Sequence, residues 1–309
     1  MKSFVLKRLI RLILVGGGVA ALVGILIHFI PGDPVDLMAG PYASLEDKLA
    51  LRKSLGLDKP IWEQIIYYLK SILQLDLGTS ITYDKSVSSL IFERIIPTFE
   101  LAFFSIITAL FISIPLGFLS AAKANTFWDT SSSFIALLGV SIPNFWLGPI
   151  LVLIFSISFD LLPVSERGDW KSYILPCITL GSSLAGILTR MIRTSLLENL
   201  QEDYIRTARA KGVAPFRLWF IHLFKNASLP VVTILGLQFG VLLTGSIITE
   251  KIFDWPGTGT LLIDAISARD YPLVQGCVLF FSSIYVFVNF STDLIYMLLD
   301  PRVSLKNHE

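Results

Sequence analysis

The chain has 309 residues, 53% hydrophobic and 16% charged, with a formal net charge of +1 and a mean hydropathy of +0.69. Soluble domains carry about 25% charged residues, so this sequence lacks the material for a watered surface and reads as an integral membrane protein. The near-zero net charge gives no reason to invoke a nucleic-acid partner. Two cysteines without C-x-x-C spacing exclude a disulfide framework or a thiol metal centre.

The N-terminus reads MKSFVLKRLIRLILVGGGVAALVGILIHFIPGDP, a basic start and then an apolar run from Leu12 to Ile30. That run is longer than a signal-peptide core and no A-x-A site follows it, so it is expected to remain as a first span. From Pro31 to Pro97 the sequence turns polar. SLEDKLALRKSLG predicts a helix with Ser44 as N-cap, Asp47 three residues on and Gly56 as its stop. LDKPIWEQIIYYLKSILQLDLG predicts a second, capped by Asp58, with Pro60 in its first turn and Gly78 after its end. The segment 31–96 reads either as a lid or as a docking surface or gate.

Apolar runs predict six spans near 9–30, 97–122, 131–159, 173–196, 229–249 and 274–298. Pro143 and Pro149 are expected to kink or break the third, since each removes a backbone donor. Lipid tolerates such a break only where neighbouring protein satisfies the freed carbonyls. Both termini and the loops on their side hold 14 basic against six acidic residues, while the opposite loops hold 11 against 16. Lys and Arg collect on the cytoplasmic face, so both termini and the loop 190–228 are expected there. Glu100 and Asp293 are the acids inside the predicted spans, each within about two turns of an end. A proton relay and simple pairing at the interface both suit that position.

Small residues stripe two spans: Cys177, Gly181, Ala185 and Thr189 on the fourth, Gly236, Gly240 and Thr244 on the fifth. Such stripes let membrane helices approach closely. Packing within the chain explains them, and so does a face lining a pathway or meeting a partner helix. Thr233, Gln238 and Ser246 on the fifth span add polarity to the second reading. Cys177 and Cys277 read as small packing residues, with a single bridge between them left open.

No G-x-x-x-x-G-K-[ST] occurs, and GTGT at 257–260 lacks the lysine, so no phosphate-binding loop for ATP is present. His28, His222 and His308 are too scattered to share a metal. Serines such as Ser182 and Ser246 have no histidine on their own helix to serve as base. The chain therefore reads as non-catalytic, with no metal or cofactor of its own.

Between the fourth and fifth spans runs YIRTARAKGVAPFRLWFIHLFKNASLP, from Tyr204 to Pro230, carrying Arg206, Arg209, Lys211, Arg217 and Lys225. Ala208 and Gly212 are four apart and share a helix face. Gly212 can take a left-handed backbone and end one helix, and Pro215 suits the first turn of the next. Two readings stand: a stiff knob for a cavity on another protein, or a helix held on anionic lipid.

That stretch resembles the cytoplasmic coupling loop of ABC importer permeases, E-A-A-x-x-x-G followed by I-x-L-P. Arg206-Thr207-Ala208 stands at E-A-A, Gly212 at the glycine, and Ala227-Ser228-Leu229-Pro230 at the end. The Arg in place of Glu and the longer spacing to Leu-Pro are similar to the dipeptide, oligopeptide and nickel branch, which reads close to R-T-A-R-A-K-G. FIPGDP at 29–34, LGLDKP at 55–60, LDLGTSI at 75–81, PTFELA at 97–102, SIPNFW at 141–146, EKIFDWPGTG at 250–259 and LLDPRV at 298–303 resemble that branch in the same order.

The resemblance implies an all-α fold with six transmembrane helices in a type I ABC importer arrangement, in a bacterial cytoplasmic membrane. It implies an extracytoplasmic helical segment at 31–96 and a permease core at 97–309, with the coupling loop at 198–228. It also implies partners: a second homologous permease subunit, two ATPase subunits that bind ATP and Mg, and an extracytoplasmic substrate-binding protein. Arg206, Thr207, Ala208, Arg209, Ala210, Lys211 and Gly212, with Leu229 and Pro230, are the residues expected to couple to an ATPase. Peptides are the favoured cargo and nickel the alternative. Rival classes are an intramembrane enzyme and a gradient-driven transporter, which needs a midplane ionisable site.

Overall fold

The computed structural model describes residues 16–23, 25, 35, 39–40, 43–54, 57–74, 76–164 and 167–299, with backbone alone at 54, 244–245 and 293–299. The expected first span at 9–30 falls largely outside the described residues, although 16–23 are helical. Helices follow in the order α1 (Leu45–Ser54), α2 (Ile61–Leu73), α3 (Val87–Ala122), α4 (Phe127–Ser141), α5 (Asn144–Leu151) and α6 (Ile174–Asn199). Then come α7 (Asp203–Ala210), α8 (Pro215–Arg217), α9 (Phe224–Gly245), α10 (Ile247–Ile252), α11 (Thr258–Ser267) and α12 (Tyr271–Leu299). Among the described residues the only extended pairing is an isolated bridge between Thr79 and Ser86. Four helical segments there are long and apolar enough to cross a membrane, or five if the bent α4–α5 pair is one span. The chain divides into two compact units, 1–97 with 256–287 and 98–255 with 288–309.

In the first unit, α1 starts with a reciprocal cap. Ser44 Oγ accepts the Asp47 N–H at 3.1 Å, and the Asp47 carboxylate accepts the Ser44 N–H at 3.2 Å and its hydroxyl at 2.6 Å. Those bonds hold the Asp47 carboxyl below its ordinary range. Asp58 does not cap α2. Pro60 occupies the cap position without a side-chain bond, and Gln64 Nε2 donates to the Lys59 carbonyl at 2.8 Å. After Gly78 a tight loop folds back, and Asp270 secures it. One carboxylate oxygen accepts Ser80 Oγ and the Thr82 N–H, and the other caps α12 through the Leu273 N–H at 3.2 Å. Asp270 is fully buried.

Helix α3 begins at Val87, ten residues before the expected span, and is preceded by Ser86, whose hydroxyl accepts the Ser89 N–H at 3.3 Å. The span expected at 131–159 is broken after Ser141: α4 and the segment Asn144–Ser158 meet at 101°. Pro143 sits at the break, whereas Pro149 lies inside α5, which continues as a wider π turn over Val152–Ser158. One side of that segment packs inward: Val152, Leu175 and Phe253 form a buried apolar cluster with Leu151, Leu162 and Ile252 against it, while Phe145, Trp146, Leu153 and Ile157 on its other side are exposed.

The second unit is organised around α6. Two-thirds of its most apolar stretch is buried, against a third or less in the other long helices. It gets this close by omitting side chains. A Cβ on Gly139 would lie 2.6 Å from the Ser182 carbonyl oxygen, and one on Gly186 would overlap the Ala136 carbonyl oxygen and Val140. The α4 and α6 backbones therefore touch. Gly181 meets the Ser105 carbonyl of α3 in the same way, at 2.8 Å, so the Cys177–Thr189 stripe is used for packing within the chain. Cys177 and Cys277 are free thiols, both buried.

Gly186→Val would drive two methyl groups into the α4 backbone. It is expected to cost about 1–3 kcal/mol, the usual range for overpacking, read as a lower thermal unfolding midpoint in detergent. Gly17 has open space around it and should accept alanine without loss.

Candidate functional site

The basic stretch after α6 forms one short helix and the start of a long one. In α7, Ile205 and Ala208 are buried, three residues apart on one face. They pack toward the π turn Leu218–Leu223, where Leu218 and Leu223 are also buried. Arg206, Thr207, Arg209, Ala210, Lys211 and Gly212 are exposed. Arg206 reaches Asp203 at 3.4 Å, but both side chains are mostly in solvent, where such a pair contributes little. The positive charge of this face is therefore available to an incoming surface.

The end of α7 is a Schellman motif. The Gly212 N–H bonds the Arg209 carbonyl at 3.0 Å, and the Val213 N–H bonds the Ala208 carbonyl at 3.2 Å. Gly212 has φ +73°, with no atom near where a Cβ would stand. Its lack of a side chain serves the backbone angle alone. Ala208 turns inward while Gly212 is exposed, so the two do not make one outward patch.

Pro215 opens the next helix at its first position. That helix does not stop before the fifth span. It passes through the π turn Leu218–Leu223 directly into α9, with Pro230 inside α9 and Leu229 exposed beside it. The expected pair of loop helices is thus one helix plus the end of a span. Phe118 of α3 stacks on Phe220 at 5.0 Å and meets Phe224 at 5.1 Å, which holds the wide turn against the bundle.

Along α9, Thr233 is half-buried and donates to the Leu229 carbonyl at 3.1 Å. A Cβ on Gly236 would come within 2.7 Å of Thr292 on α12, so this glycine serves packing inside the chain. Gln238 is half-buried and Gly240 buried; at Thr244 only the backbone is described. Ser246 interrupts the helix between α9 and α10. It is buried and donates to Glu250 Oε1 at 2.8 Å.

Glu250 is the group that sequence reasoning passed over. It is fully buried, and Thr98 Oγ1 joins Ser246 on the same oxygen at 2.8 Å. Both lie in quoted motifs, PTFELA and EKIFDWPGTG, whose meeting the sequence alone does not reveal. Two residues beyond Thr98, Glu100 accepts Arg167 Nε at 3.0 Å, Arg167 Nη2 at 2.9 Å and the Tyr173 hydroxyl at 2.8 Å. Tyr173 in turn meets the buried Trp255 edge-on at 4.8 Å. Glu100 is thus an anchored partner of Arg167. The side chain of Asp293 lies outside the described residues.

A third buried carboxylate, Asp129, accepts Arg193 Nε at 2.7 Å and Nη2 at 2.8 Å. Among the described residues no three His, Cys, Asp or Glu side chains gather closely enough to hold a metal ion.

Comparison with known proteins agrees along the whole chain. Residues 113–305 match the binding-protein-dependent transport system inner membrane component family, and residues 1–102 match the N-terminal domain of such membrane components. The glutathione transport system permease protein GsiC of Salmonella typhimurium strain LT2 is 42% identical over 306 residues, covering 99% of this chain and all of the relative. GsiC of Escherichia coli K12 is 40% identical over the same extent. A solved inward-facing structure of the MetNI methionine ABC transporter shares the fold at TM-score 0.54 and 18% identity, covering 69% of this chain and 97% of that one.

Glu250→Leu strips an acceptor from two buried hydroxyls, and each stranded donor costs about 1–3 kcal/mol. Glu250→Gln keeps an acceptor there. The leucine variant is expected to melt at a clearly lower temperature in detergent than the glutamine variant.

Proposed function

This chain belongs to the family of binding-protein-dependent transport system inner membrane components and is a permease subunit of an ABC importer; from that premise we propose that it carries short peptides inward, driven by separate ATPases. The exposed basic face of α7 carries the reading: it is anchored from beneath by Ile205 and Ala208, and stopped rigidly at Gly212. Such a face suits a groove on an ATPase subunit, with both termini and α7 in the cytoplasm. The ATPases bind ATP and Mg, a second permease subunit completes the path, and an extracytoplasmic binding protein delivers cargo. Peptides are favoured because relatives at 40–42% identity are named for glutathione, itself a short peptide. The rival driven by an ion gradient lacks support in the described spans, where Glu100 is committed to Arg167 and Tyr173.

The direct test is reconstitution with the companion subunits in vesicles, offering radiolabelled glutathione, labelled dipeptides and nickel separately. ATP-dependent accumulation of a peptide is expected. Accumulation of nickel alone would overturn the substrate assignment, and uphill uptake without the ATPases would overturn the transport mechanism.

Gly212→Val forces a β-branched residue into a left-handed backbone, at about 1–2 kcal/mol. Displacement of α7 by that strain should lower uptake about tenfold, the rate equivalent of 1.4 kcal/mol. The ATPase subunits should still copurify and hydrolyse ATP.

A further inference from the structure

We propose that the Asp129–Arg193 pair is a positioning device: it makes the α3–α4 hairpin move with α6 when α7 is displaced. The inference rests on the coupling role assigned to α7 above. Asp129 lies in the first turn of α4, with its side chain 8% exposed. Its two oxygens accept from Arg193 Nε and Nη2, from Ser120 Oγ near the end of α3, and from the Asn125 N–H in the turn between α3 and α4. A carboxylate offers about four acceptor sites, and all are filled from three elements. Two of those donors already belong to the hairpin. The other two come from α6.

Arg193 is six residues before the end of α6 at Asn199, and α7 starts at Asp203. The pair therefore sits about 9 Å along the helix from the junction, at 1.5 Å per residue. Further along, the glycine contacts of α4 and α6 leave no gap, and on the α3 side Gly117 fits against Ile192, the neighbour of Arg193. Close apolar packing resists compression but offers little resistance to sliding. A planar guanidinium fork on a carboxylate fixes both distance and direction, which lysine does not reproduce. Contact surfaces and ion pair together make α3, α4 and α6 a single body, and the pair is the part that blocks slippage nearest to α7.

The test uses the complete complex with its second permease subunit, ATPases and binding protein. Nitroxide labels at Thr130→Cys and Thr194→Cys, both exposed positions, report the spacing of α4 and α6; the native thiols are buried. In the native background that spacing should be the same without nucleotide and with ATP bound. In Arg193→Gln it should differ between the two states, and the ATP hydrolysed per labelled glutathione imported should rise about fivefold or more. A native spacing that changes with nucleotide overturns the inference. So does an Arg193→Gln complex with the native spacing and ratio, or one whose uptake and hydrolysis fall only in proportion to assembly. If Arg193→Gln does not assemble, Arg193→Lys decides: slippage and a raised ratio support the positioning role, and native behaviour or failure to assemble overturns it. A native complex that hydrolyses ATP without importing glutathione sinks the substrate assignment instead, and the label distances still judge the pair.

Discussion

Close contact of backbones around α6 is the constraint on which the larger unit depends. Lipid tails are as apolar as leucine, so membrane helices gain little from hydrophobic burial against each other and must gain it from close fit. In α6 the fit is obtained by removing side chains at Gly181 and Gly186 and meeting Gly139 from the other side. Once those carbonyls touch, the crossing of α4 and α6 is set. The broken segment after Pro143 is held on its inner side alone, where Gly148 and Val152 meet Ile252 at the end of α10 and Phe253 just after it.

Close fit explains proximity but not registration, which falls to buried carboxylates. Asp129 ties α4 to α6 and the end of α3. Glu250 ties α10 to Ser246 and to Thr98 of α3, and Asp270 ties the 79–86 loop to the start of α12. Each is within 6% of full burial, where a lost partner leaves a charge or hydroxyl with nothing to bond. A shift of one helix turn would break several bonds at once. Polar groups thus specify one arrangement among the many that greasy helices allow.

How much of this was readable in the sequence depends on how local each signal was. Ser44 and Asp47 are three residues apart, and Gly212 ends its helix by its own backbone angle; both were legible. The break at Pro143 was legible for the same reason. The extension of α3 back to Val87 was hidden because Glu93 and Arg94 interrupt the apolar run, although Ser86 caps it. Helix α9 runs through Pro230 where a boundary was expected, because the helix opened by Pro215 joins it through the π turn Leu218–Leu223 without a break. The carboxylate partners were illegible. Arg193 lies 64 residues from Asp129, and Thr98 lies 152 from Glu250, and no period or motif links positions that far apart.

The same distinction bears on how α7 would work in the proposed assembly. Its charge is read from sequence at once, yet charge alone gives an orientation and an encounter rate rather than a mechanical linkage. Exposed cations on a loose loop would yield when pulled. Here they stand on a helix whose inner face is anchored by Ile205 and Ala208, and whose exit is fixed by two Schellman bonds. On one side it is joined to α6, the most buried helix of the unit, and on the other to a helix that runs unbroken into α9. Force applied to that basic face has no slack segment to stretch before it reaches α6. A short helix without buried residues beneath it could bind an ATPase equally well and transmit nothing.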